Sequence, residues 1–215
     1  MTTNKKVETI LNRLNENYPE EIKCYLNYTY DYELLFATIL SAQCTDERVN
    51  IVTKTLFDKY KSLESFANAP LQELEKDIKS TGFYRNKAKN IKMAAIILLE
   101  TFLGEIPSDT DSLTILPGVG RKTANVVRCH IFNIPSIVVD THVKRISARL
   151  GLTYNTDPVK IEFDLMEILP KKSWIAYNHQ IIAHGRKICK APKPRCHECF
   201  YLDLCPYYAL NARTL

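Results

Sequence analysis

Apolar residues recur at helical spacing along almost the whole chain, and this limits the available folds more than any other feature. Val7, Ile10, Leu11 and Leu14 fall at i, i+3, i+4 and i+7, one face of a helix. Ile91, Ala94, Ala95 and Leu98 repeat the spacing and Phe102 extends it. Shorter helical patterns run from Leu34 to Leu40, Val49 to Phe57 and Leu71 to Ile78. Pro19, Pro70, Pro107, Pro117, Pro135, Pro158 and Pro170 sit at the breaks between segments, where a residue without an amide donor interrupts least. Asp111 before Leu113 and Asp157 before Pro158 read as N-caps. Only Ile137-Val138-Val139 looks like a strand, and it runs at once into Asp140 and another helical pattern, so it reads as a buried connection. The expected fold class is all-α.

The chain of 215 residues is 46% apolar and 25% charged, enough to bury a core and to exclude disorder, as one large domain or two small ones. A net charge of +5 permits a polyanionic partner without requiring one. After Met1-Thr2-Thr3-Asn4-Lys5-Lys6 the pattern turns amphipathic, with no apolar run long enough for a signal peptide or a membrane span. A cytosolic protein without membrane contact is expected, and there seven cysteines do not suggest a disulfide framework.

Residues 116–127 read Leu-Pro-Gly-Val-Gly-Arg-Lys-Thr-Ala-Asn-Val-Val and hold two of the six glycines, Gly118 and Gly120. Glycine permits positive φ and close approach of a partner to the backbone. Pro117 ends one helix, and another starts near Gly120 with Ala124, Val127 and Ile131 on its inner face. The first amides of that helix lack internal acceptors, and with the helix dipole they make a site for an anion such as a DNA phosphate. Without a ligand the same string would be a plain helix–turn–helix connection.

Lys122 lies in the first turn after this hairpin. The positive dipole end and Arg121 both disfavour an ammonium there, and a lysine so placed can act as a Schiff-base nucleophile. A phosphate-binding lysine is the alternative, and local physics does not choose between the two. Asp140 opens Thr141-His142-Val143; its carboxylate can cap the next helix, stabilise positive charge on a reacting sugar, or do both.

Four of the seven cysteines, Cys189, Cys196, Cys199 and Cys205, give C-x6-C-x2-C-x5-C. Four thiolates can hold zinc or a four-iron cluster. Zinc ribbons usually pair two short knuckles, whereas here one knuckle has a longer loop on each side. His197 lies inside the knuckle and, with four cysteines available, is expected to point away. Arg186, Lys187, Lys190, Lys193 and Arg195 make the surrounding segment basic. Cys24, Cys44 and Cys129 read as buried thiols.

The hairpin string and Val-Asp-Thr-His-Val together resemble the endonuclease III family of helix–hairpin–helix DNA glycosylases, and the cysteine spacing is similar to that family's cluster loop. Leu40-Ser41-Ala42-Gln43 with Thr45-Asp46 resembles a further family segment, and Thr81-Gly82-Phe83-Tyr84 with Asn86 and Lys87 resembles a second inserted loop. The resemblance covers nearly the whole chain. It implies two helical domains with a DNA cleft between them, a helical barrel at residues 24–134 and a [4Fe-4S] cluster domain at residues 1–23 plus 135–215. It implies a bifunctional DNA glycosylase and AP lyase that acts as a monomer on double-stranded DNA containing damaged pyrimidines or abasic sites. Lys122 would be the nucleophile and Asp140 its assistant. Gly118, Val119, Gly120, Arg121 and Thr123 would contact the backbone, as would Lys190, Lys193 and Arg195. Gln43 and Phe83 would enter the duplex when a base is flipped out, although relatives often carry a smaller apolar wedge at Phe83. Cys189, Cys196, Cys199 and Cys205 would hold the cluster. Adenine-specific mismatch glycosylases usually lack the lysine, so its presence argues for the bifunctional branch over a monofunctional glycosylase or a non-catalytic binding module.

Overall fold

The computed structural model describes residues 3–19 and 24–211. The reading of Met1-Thr2, and the parts of the expected domains at 20–23 and 212–215, lie outside the described residues. Every regular element among those described is helical: α1 (Thr3–Asn17), α2 (Asp31–Leu40), α3 (Asp46–Lys59), α4 (Leu63–Asn68), α5 (Leu71–Asp77), α6 (Tyr84–Phe102), α7 (Thr110–Ile115), α8 (Arg121–His130), α9 (Thr141–Arg149), α10 (Pro158–Ile168), α11 (Trp174–Lys187) and α12 (Pro206–Asn211). Short 3₁₀ turns at Lys79–Thr81, Lys171–Ser173 and Cys196–Glu198 join some of them. No helix among the described residues is long and apolar enough to cross a membrane. The chain divides into two compact units, Cys24–Ile134 and Met1–Lys23 with Pro135–Leu215.

In the Cys24–Ile134 unit, α2 is the central element. Leu34, Leu35, Phe36, Ala37, Ile39 and Leu40 are all buried, so this helix is apolar on every side and must be surrounded. α3, α6 and α8 pack against it. α6 contributes the stripe Ala88, Ile91, Ala94, Ala95 and Leu98, each fully buried. Phe36 and Phe66 meet edge to face with centroids 4.8 Å apart. The Glu33 carboxylate closes the start of α2 by accepting the amides of Thr29 at 2.6 Å and Tyr30 at 3.1 Å. The expected N-cap of α7 at Asp111 is displaced: Asp109 is the cap and accepts the Ser112 amide at 2.8 Å. The helix starts at Thr110, which puts Asp111 in its first turn, where its charge favours the dipole but no capping geometry is available.

The second unit has its own core. Val7, Ile10, Leu11 and Leu14 of α1 pack with Ile137, Val143, Ile146, Ile161, Leu165, Tyr177 and Tyr201. Tyr201 donates its hydroxyl to the Ile10 carbonyl at 3.0 Å, and Arg13 binds the Phe200 carbonyl and both Asp203 oxygens. The apolar stretch 137–139 is a connection with no strand geometry. Buried backbone there still needs partners, and Asn178 supplies them by accepting the Val138 amide at 3.1 Å and donating to the Ser136 carbonyl at 2.9 Å. Asp157 caps α10 through the Val159 and Lys160 amides, with Pro158 at the first helical position. Gly185 on α11 lets α9 come close, because a Cβ there would collide with the His142 ring and meet Arg145 and Ile146 at 3.0 Å.

Candidate active site

The hairpin between α7 and α8 is built by one glycine in a left-handed conformation. Gly118 has φ +81, and a Cβ at that position would stand 2.8 Å from Asn90 Nδ2 and 3.1 Å from Asn90 Cβ. Both facts require glycine. Gly120 differs from the expectation of positive φ: it is extended at φ −96, ψ 178 and a Cβ there would meet nothing within 4 Å. Nothing inside the protein demands glycine at 120, so the open space faces outward. Val119 anchors the turn from inside. Its side chain is buried in the core, and its amide is bonded to the Leu116 carbonyl at 3.0 Å.

α8 begins directly on this turn, with Gly120 as an N-cap that offers no side-chain acceptor. An α-helix leaves its first-turn amides without helical acceptors, and the N-cap residue supplies none here. Arg121 and Lys122 are exposed on this turn and Thr123 is half-buried. Ala124, Asn125, Val127 and Cys129 face the core and fix the helix. Ile131, expected on the inner face, is the C-cap and packs half-buried against the same core.

Two further loops of this unit carry side chains at positive φ, a conformation uncommon for residues other than glycine. Gln43 follows α2 at φ 53 and Phe83 precedes α6 at φ 48. Gln43 is exposed, and Phe83 is 64% exposed, so it is not a core aromatic. The ammonium of Lys87 lies under both loops and donates to the carbonyls of Leu40 and Thr81, each at 2.8 Å.

In the other unit, Asp140 is half-buried and caps α9. Its Oδ1 accepts the amides of His142 at 2.9 Å and Val143 at 2.7 Å. α9 also braces the cysteine loop. Arg145 donates to the Cys189 carbonyl at 2.9 Å and 3.2 Å. Arg149 donates to Cys189 Sγ at 3.2 Å and to the carbonyls of Lys190 and Ala191. Cys189, Cys196, Cys199 and Cys205 line one small apolar cavity closed by Pro194, Leu202, Tyr207 and Tyr208. Burial pushes the Cys199 thiol up to about 11 and raises Cys196 and Cys205 as well; bound metal would favour the thiolates instead. His184 approaches Cys199 Sγ at 3.6 Å and Tyr18 Oη at 3.2 Å, and burial lowers it to about 4, so it is neutral near pH 7.

His197 does point away: its side chain is 79% exposed and sits 3.3 Å from Glu198. Lys190 and Lys193 are exposed on the loop. Arg195 instead holds the loop to itself, binding the Lys187 carbonyl and pairing with Glu198 at 3.1 Å. Of the three remaining cysteines Cys129 is buried as expected, but Cys24 and Cys44 are half-buried, because both lie on the short segments flanking α2 and not on a helix face.

Residues 36–171 match the family model of the HhH-GPD superfamily base excision DNA repair proteins. Endonuclease III of Bacillus subtilis is 50% identical over 202 residues, 94% of this chain and 92% of that protein. Endonuclease III of Synechocystis sp. is 51% identical over 203 residues, again 94% of this chain and 92% of its own. This chain is a member of the endonuclease III family. The structure of a trapped endonuclease III–DNA covalent intermediate superposes with a TM-score of 0.93 at 44% identity, covering 99% of this chain and 100% of that one. As an endonuclease III family member the protein is a base excision repair DNA glycosylase and AP lyase, and DNA is its partner.

Reading the sequence missed the support behind these residues. Asn90, which forces glycine at 118, carries no pattern of its own. Lys87, read only as part of the second loop, lies in α6, and the signal that could have found it is its place on the buried stripe four residues before Ile91, where a charge is out of place.

Proposed function

We propose that the protein removes oxidised pyrimidines from double-stranded DNA in the bacterial cytosol and then cuts the strand 3′ to the abasic site by β-elimination. The observation that carries this reading is Lys122, exposed one residue into α8 beside a hairpin whose Gly120 leaves open space on the outside. Phosphates dock on the amides of the hairpin and the first turn of α8. The damaged nucleotide leaves the stack, and Gln43 and Phe83 fill the gap. The Lys122 amine attacks C1′, assisted by Asp140, and the bond from C1′ to the base breaks. The C1′–O4′ bond then opens, with the amine proton passing to O4′, to give an imine, and loss of a C2′ proton from that imine expels the 3′ phosphate. The roles of Lys122 and Asp140 are carried over from the family by resemblance.

The four cysteines are proposed to hold a [4Fe-4S] cluster. Among the described residues no group of three or more Cys, His, Asp or Glu side chains is arranged to hold one metal ion, yet all four thiols line the same cavity. A zinc ion needs its sulfurs about 2.3 Å from one centre, whereas a cluster takes each thiolate at a separate iron. The single C-x2-C knuckle with a longer loop on each side, and its similarity to the family's cluster loop, favour the cluster. When bound it would fix the Lys190–Arg195 segment, and no bond-breaking step is assigned to it. Cys199→Ala is expected to lose iron and acid-labile sulfide together, read by metal and sulfide analysis of the purified protein. One zinc per chain in the parent protein would instead reinstate the zinc site.

The hairpin gives a second test. Gly118→Ala is expected to destabilise the fold by about 2 kcal/mol, through positive φ and the clash with Asn90. Gly120→Ala should change stability by less than about 1 kcal/mol while weakening binding to an abasic duplex. Equal losses of stability in the two variants would remove the phosphate argument at 120.

The overall reading is tested by mixing the protein with a duplex carrying one thymine glycol or one abasic site and adding borohydride. A covalent protein–DNA band is expected on both. Free base released with neither band nor nick would point to a monofunctional glycosylase. Binding with no chemistry would point to a docking module.

A further inference from the structure

Lys87 is 4% exposed, and its ammonium is held by two main-chain carbonyls and no carboxylate. Burial pushes it toward the neutral form, which measures how unfavourable the site is for a charge. An apolar side chain of similar length would usually stabilise such a position at least as well. What distinguishes the site is where the two carbonyls lie. Leu40 is the last residue of α2, three residues before Gln43. Thr81 ends the 3₁₀ turn, two residues before Phe83. Both loops then turn through positive φ at an exposed side chain. Ser41 Oγ, by contrast, reaches only back to the Thr38 carbonyl in its own helix.

We infer that Lys87 is a positioning residue that sets the spacing of the Gln43 and Phe83 loops, so that the two side chains enter the duplex together when a nucleotide is flipped out. This rests on the proposed insertion role of Gln43 and Phe83. A terminal helix carbonyl is a good acceptor for an ammonium, and a lysine has enough donors to hold two carbonyls at once. One side chain thereby couples two loops that are far apart in sequence. Misplacement of reacting groups by about 1 Å can cost about 100-fold in rate, so a loose pair of wedges should be felt in the chemistry.

The test compares two substrates with the full-length protein. On a duplex abasic site a gap must be filled; on a single-stranded abasic oligonucleotide there is none. Lys87→Met is expected to slow borohydride trapping on the duplex by about 10- to 100-fold and to leave trapping on the single strand within about twofold. The fluorescence of 2-aminopurine placed opposite the abasic site should lose its binding-induced change in the same variant. Lys87→Gln, which keeps an amide donor but loses the charge and about one atom of reach, should fall between and serves if the methionine variant does not fold. In a Gln43→Ala Phe83→Ala background, Lys87→Met should change the duplex-to-single-strand ratio no further. If both substrates slow in proportion, Lys87 is merely structural and the inference fails. If the Gln43 and Phe83 substitutions shift the ratio but neither Lys87 variant does, the inference fails while the insertion reading stands. If the Gln43 and Phe83 substitutions leave the ratio unchanged, the insertion reading itself fails.

Discussion

Lys122→Gln is expected to give a folded protein that forms no borohydride-trapped adduct and nicks an abasic duplex on the order of 10⁴-fold more slowly, or worse. Lys122 is exposed in the first turn of α8. Glutamine has nearly the same helix propensity, so the stability change should stay within about 0.5 kcal/mol. The substitution keeps reach and hydrogen bonding and removes the amine. Affinity for undamaged duplex should fall only modestly, without the salt slope shallower by about 1 that loss of a phosphate contact gives. That pattern separates the nucleophile from a phosphate contact. Weaker binding with nicking retained at saturating enzyme would return Lys122 to the phosphate role and leave the lyase without an assigned amine.

Asp140 offers a comparison of the same kind, because its carboxylate has one visible duty already. It accepts two amides at the start of α9. Asparagine is about as good an N-cap as aspartate, so Asp140→Asn should unfold within about 1 kcal/mol of the parent. If the carboxylate also stabilises positive charge at the sugar, base release should still drop on the order of 100- to 1000-fold. Asp140→Ala should lose the same activity and, in addition, about 1 to 2 kcal/mol of stability, a melting temperature lower by a few degrees for a chain of this size. Thermal melts and single-turnover base release on both variants read the two effects separately. Near-parental activity in the asparagine variant would leave Asp140 as a helix cap alone.

What the sequence disclosed and what it hid follow a physical division. The helices were legible because their stripes are local: α1 and α6 each announce themselves through spacing within a single segment. Caps were legible where the acidic residue directly precedes a signal such as Pro158, and misread at α7, where Asp109 and Asp111 compete two residues apart and only the helix start decides. The hairpin was legible as a string, but the separate reasons for its two glycines were not, because Asn90 comes from α6. The string did not show that the Val119 side chain turns into the core. The cysteines were legible by spacing. The arginines of α9 that hold their loop were not, since Arg145 and Arg149 lie forty or more residues before the atoms they bind.

The unit built from both ends of the chain also sets a schedule for the ribosome. α1 precedes all of the groups that cover it, which run from Ile137 to Tyr201, and the last of them, Tyr201, follows about 190 residues later. At about 5 to 20 residues per second, the apolar face of Val7, Ile10, Leu11 and Leu14 waits roughly 10 to 40 s for the last of its cover. The Cys24–Ile134 unit, being continuous in sequence, can close during that interval. Nascent chains stalled before residue 137 should therefore hold one protease-resistant half and one exposed amphipathic helix, the part of the molecule most in need of a chaperone.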